Sequence, residues 1–70
     1  MTTKRQYHPD KRINRFCAMI VSFVDHPMRQ LEISQSLPGI GGYNVMVALS
    51  EMSARGIMRR NSDYTWEVTP

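Results

Sequence analysis

Near the middle of the chain, Pro38-Gly39-Ile40-Gly41-Gly42 packs one proline and three glycines into five positions, and no regular helix or strand runs through such a stretch. Apolar residues recur at helical spacing on both sides of it. On the N-terminal side Ile13, Phe16, Cys17, Ile20, Val21 and Val24 repeat every three or four residues, which predicts a helix of about four turns. Asp10 is its N-cap, with Pro9 just ahead. Asp25-His26-Pro27 ends it, because the residue before a proline is pushed out of the helical region. Met19 and Phe23 widen the apolar face and make this helix central to the core. Pro27 suits the start of a second, shorter helix, from about Met28 to Ser36. Its inner face is Leu31, Ile33 or Ser34, and Leu37. Beyond the Gly-rich cluster, Val45, Ala48, Leu49 and Met52 stand at i, i+3, i+4 and i+7. They define a third helix from Gly42 or Tyr43 to Arg55, with Gly56 as its stop. The cluster is therefore a tight turn between two helices.

After Gly56 the period changes to two. Ile57-Met58-Arg59-Arg60 reads as a short strand and Asn61-Ser62-Asp63 as a turn. Tyr64, Trp66 and Val68 then alternate with Thr65, Glu67 and Thr69, so the tail is expected to be a two-stranded β-hairpin. Three helices and a hairpin on one small core make an α+β domain over residues 10–70. Residues 1–9 are polar and basic and read as a flexible arm. Seventy residues bury little surface, and a single cysteine excludes an intrachain disulfide. Cys17 reads as a small core residue in a reducing, cytoplasmic setting. The apolar stretch Cys17–Val24 is too short to cross a membrane.

Charge is uneven. The net charge is +3. Residues 1–15 hold Lys4, Arg5, Lys11, Arg12 and Arg15 against Asp10, a balance of +4, so the remaining 55 residues sum to −1. A concentrated basic segment suits a polyanion such as nucleic acid.

With these elements in order, Met28–Thr69 resembles a winged helix-turn-helix domain. The resemblance rests on Val45, Leu49, Met52, Gly56, Ile57, Arg59 and Arg60 at the end of the third helix and beyond it. Ile40 in the turn and the final strand Tyr64–Thr69 add to it. It implies a three-helix winged helix-turn-helix with a C-terminal two-stranded wing. The third helix would enter the major groove, where base edges carry a unique donor and acceptor pattern. Tyr43, Asn44, Met46, Val47, Ser50 and Ala54 are then its outward positions. In that setting Asn44 would read adenine bidentately, Ser50 would bond to base edges, Met46 and Val47 would meet thymine methyls, and Tyr43 would reach a phosphate. Arg59 and Arg60 would be wing contacts, and Lys4, Arg5, Lys11 and Arg12 would track the backbone. The outward face departs from the family in carrying no Lys or Arg before Arg55.

Leu37-Pro38-Gly39-Ile40-Gly41 separately resembles the hairpin of helix-hairpin-helix motifs, which implies sequence-independent phosphate binding by glycine amides. A different class also stays open. The apolar outer face of the third helix, Tyr43, Met46 and Val47, would serve a winged-helix protein-interaction module.

Nothing in the sequence points to catalysis. His8 and His26 stand far apart without partners at ligand spacing, and the six acids are scattered. The Gly-rich cluster lacks the Lys-Ser/Thr of a nucleotide-binding loop. The expectation is a regulator of transcription or recombination with no cofactor, metal, membrane contact or small-molecule substrate. Its partner is double-stranded DNA, together with a second copy of the chain or another protein.

Overall fold

The computed structural model describes residues 10–70. The basic arm expected over 1–9, with Lys4, Arg5 and His8, lies outside the described residues. Helix α1, Lys11–Phe23, starts at a true side-chain cap. Asp10 has an extended backbone, and its carboxylate accepts the Arg12 N–H at 2.9 Å. At the other end Val24 is already extended, ahead of the Asp25-His26-Pro27 stop, although its N–H still donates to the Ile20 carbonyl. Ile13, Cys17, Ile20 and Val24 face the core. Met19 and Phe23 do not: they are 42% and 39% exposed. At about 100° per residue they fall on the flank of α1 rather than on its buried face, so the expected widening of the core is corrected.

The second helix begins later than expected. Met28–Arg29 is strand β1, and α2 spans Gln30–Ser36. Glu32 accepts the Arg29 N–H at 3.4 Å and so tightens the entry to the helix. Ile33 is fully buried and Leu37 partly so, whereas Leu31, expected on the inner face, is 68% exposed. Residues 31 and 33 stand about 200° apart on an α-helix, so with Ile33 inward Leu31 lies on the opposite side.

Helix α3, Gly42–Ala54, follows the predicted periodicity, and Val45, Ala48, Leu49 and Met52 are all inaccessible to solvent. Gly56 ends it at φ 77°. The Gly56 N–H donates to Ser53 and the Ile57 N–H to Met52, the paired bonds that close a helix through a left-handed residue.

Strands β2, Met58–Arg60, and β3, Thr65–Val68, form the predicted hairpin. The sheet nevertheless has three antiparallel strands in the order β1-β3-β2, which corrects the two-stranded expectation. Met28 stands opposite Trp66, and Trp66 stands opposite Arg60 on its other side. The central strand thus carries the one tryptophan, which is buried under the helices with Met28 and Met58. The result is a mixed α+β arrangement: helices on one side, and a small sheet covering the remaining face of one apolar core.

Tyr64 falls outside β3 and has a positive φ of 68°. The turn imposes this. Asn61 donates to the Thr65 carbonyl at 2.8 Å, and Thr65 gives both its N–H and its hydroxyl to Asp63, at 3.1 and 2.6 Å. Those bonds also hold the Asp63 carboxyl below its usual range. A left-handed backbone costs a residue with a Cβ roughly 1–2 kcal/mol. Tyr64→Gly should therefore stabilise the chain by about 0.5–1 kcal/mol, after loss of its ring contact with Arg60. Urea unfolding checks this, and a lower midpoint would mean that the ring contributes more than the strain costs.

Candidate nucleic-acid interface

The turn between α2 and α3 determines which face of α3 meets solvent. Ile40 is buried beneath it, and its N–H closes the turn onto the Leu37 carbonyl at 3.0 Å. Gly41 then takes φ 89° and ψ 148°, and its carbonyl accepts the Val45 N–H to start α3. Because Ile40 and Val45 are both anchored in the core, the opposite side of α3 is presented outward. That side carries Tyr43, 73% exposed, then Met46, 42% exposed, and Ser50, Ser53 and Ala54.

Two residues expected on this face are placed differently. Asn44 is half-buried, and its side-chain amide donates to the Ile40 carbonyl at 3.0 Å. That bond gives the turn carbonyl a partner, and a short amide four residues on is well placed to supply it. Bidentate adenine recognition needs that amide group, so Asn44 serves the turn in this structure. Val47 is half-buried at the edge of the core. Ser53, which the sequence reading passed over, is exposed on the outward side.

The cations divide by partner. Arg55 folds back: its guanidinium pairs with Glu51 at 2.9 Å and donates to Asn14 Oδ1 at 3.1 Å, tying the end of α3 to α1. Its side chain is only 13% exposed. Arg59 lies directly across the ladder from Glu67 and donates to its carboxylate at 2.7 Å, so its charge is largely offset. Arg60 is different. Its guanidinium lies 5.5 Å from the centre of the Tyr64 ring, and both side chains are exposed at the hairpin end. From the sequence Tyr64 reads only as a strand residue after the turn cluster, with no sign of this contact. Lys11 and Arg12 are exposed at the start of α1, Arg12 touching Asp10 at 3.2 Å.

Other chemistry-bearing groups are spread out. Cys17 is buried, its thiol donating weakly to the Ala48 carbonyl at 3.7 Å, and burial pushes its pKa up, away from reactive thiolate. His26 is exposed and sits 2.6 Å from Asp25, which holds that carboxyl below its usual range. Among the described residues no three His, Cys, Asp or Glu side chains converge as a metal site, and no helix is long and apolar enough to cross a membrane.

No protein-family model matches this chain, and neither a curated protein nor a solved structure matches it.

Proposed function

We propose that this chain is a small double-stranded-DNA-binding regulatory module of the winged helix-turn-helix kind. In this reading α3 enters the major groove, while Arg60 and the basic start of α1 lie on the phosphates. One observation carries it: the outward stripe of α3, Tyr43, Met46, Ser50, Ser53 and Ala54, holds no acidic side chain, and the helix's one acid, Glu51, is paired with Arg55. A helix face without carboxylates meets no like-charge repulsion as it approaches a polyanion. Ser50 offers a hydroxyl for base edges, Met46 an apolar contact for a thymine methyl, and Tyr43 a phenol for phosphate. The order helix, tight turn, helix, glycine, basic hairpin supports the same reading.

The test is selection from a random duplex pool near physiological salt, followed by binding across a salt series. An enriched motif that is weakened by Ser50→Ala and Met46→Ala supports readout by α3. Arg60→Gln should weaken all sequences about equally and lower the salt slope by about one. Absence of binding to any duplex would overturn the proposal. The lack of a cation on the α3 face favours a second reading, a protein-docking helix. In that case Met46→Lys abolishes partner binding and leaves DNA affinity intact or higher.

A further inference from the structure

Tyr64 holds a strained backbone conformation, and its ring does little for the fold. The φ of 68° lies in the left-handed region, where a side chain is strained and a glycine is not. The hairpin turn does not ask for an aromatic at this position. Its bonds here are made by the backbone, from the Tyr64 N–H to the Asn61 carbonyl and from the Asn61 N–H to the Thr65 carbonyl, and any residue at position 64 supplies its share. Nor does the core use the ring, which is no part of the buried cluster and leaves the residue 65% exposed. A strained residue whose side chain adds so little to the fold points to a use outside it.

The surroundings of the ring narrow that use. The Arg60 guanidinium lies over it, 5.5 Å from the centroid, within the range of a cation–π contact. Among the described residues no carboxylate is in ion-pair contact with Arg60, so its charge is not offset. A second exposed cation, Arg29 on β1, stands opposite Thr65 on the other side of β3. Asp63, the acid of this turn, is committed to the Thr65 N–H and hydroxyl. Along the chain the ring's neighbours, Asn61, Ser62, Asp63 and Thr65, are all polar. They do not extend it into an apolar patch of the kind that docks a protein.

An exposed aromatic face beside unneutralised cations is the combination that holds single-stranded nucleic acid: a base stacks on the ring while the cations meet the flanking phosphates. We propose that Tyr64, with Arg60 over its ring, is a stacking site for an unpaired DNA base. Inside a duplex both faces of a base are covered by its neighbours, so the site takes a base at an end, a bulge or an opened pair. This rests on the DNA reading above and adds a preference to it: duplex carrying an unpaired base over duplex fully paired.

The test compares three probes by fluorescence anisotropy with the full chain at one salt concentration: a blunt mixed-sequence duplex, the same duplex with a short unpaired thymidine extension, and the same extension built of abasic sugars. The abasic probe carries the same phosphates without bases, so the ratio of the two extended probes isolates stacking. Wild type should bind the thymidine extension roughly 5- to 150-fold more tightly than the abasic one. Tyr64→Phe should keep that ratio, because the ring remains. Tyr64→Gly should bring it to about one while affinity for the blunt duplex stays within about threefold. Since that change relieves the strained backbone, unfolding does not explain the loss, and circular dichroism confirms the fold of each variant. A wild-type ratio near one, a ratio that survives Tyr64→Gly, or a ratio lost in Tyr64→Phe would each overturn the stacking site, while binding to the blunt duplex would leave the DNA reading standing. A chain that binds none of the three probes overturns both.

Discussion

Leu49→Ala should lower stability by about 3–5 kcal/mol and bring the chain close to unfolding at room temperature. Leu49 is inaccessible to solvent and lies between Val45, Ala48 and Met52 on the inner face of α3. Removing it forfeits burial and leaves a cavity, and leucine-to-alanine changes at such sites cost about 2–5 kcal/mol. The upper part of that range applies because helices and sheet enclose the site, leaving little freedom to collapse. A chain of this size has only about 4–10 kcal/mol in total, at roughly 0.05–0.15 kcal/mol per residue. No intrachain disulfide is available to offset the loss, since Cys17 stands alone. The thermal midpoint should fall by roughly 15 °C or more. Far-UV circular dichroism against temperature and urea reads this directly. Ser50→Ala, the next residue outward, should stay within about 0.5 kcal/mol. A loss below about 1 kcal/mol for Leu49→Ala would mean that the inner face of α3 is not tightly packed.

The second large effect is at Gly41. Its backbone, φ 89° and ψ 148°, lies in a region used almost only by glycine, and side chains there cost on the order of 1–3 kcal/mol. A Cβ at this position would meet nothing within 4 Å, so the whole cost of Gly41→Ala is conformational. Gly39→Ala provides the contrast. A Cβ there is equally unobstructed and φ is not positive, so the change should be neutral or stabilise by up to about 1 kcal/mol through the unfolded chain. Comparable losses at both positions would show that the turn responds to something other than the conformation of Gly41. Because Gly41 sets the start of α3, its replacement should also weaken any ligand bound on the outward stripe, beyond the loss of folded protein. Titration of the folded fraction measures that.

What the sequence determined by itself was whatever local physics settles. The Asp10 cap, the break before Pro27, the turn over residues 38–42 and the Gly56 stop each follow from a few neighbouring residues, and each stands where the pattern put it; the period-two tail forms as β2 and β3, although Tyr64 drops out of the last strand. The inner face of α3 was legible for the same reason, since four residues at i, i+3, i+4 and i+7 leave only one way to bury them. Tertiary structure decided the rest. Met28 and Arg29 look like the start of a helix until Trp66 and Thr65 come alongside and take their backbone bonds; that partner is nearly forty residues away and leaves no local trace. The same pairing turned a hairpin into a three-stranded sheet, and the burial of Ile33 in the core left Leu31 facing outward. At the candidate interface, helical periodicity gave Tyr43, Met46 and Ser50 as outward. It gave no sign that Asn44 would be drawn to the Ile40 carbonyl, Arg55 to Glu51 and Asn14, or Arg59 to Glu67. Spacing fixes the direction in which a side chain leaves the backbone, but which partner satisfies its charge or hydrogen bonds depends on chain segments that only folding brings within reach.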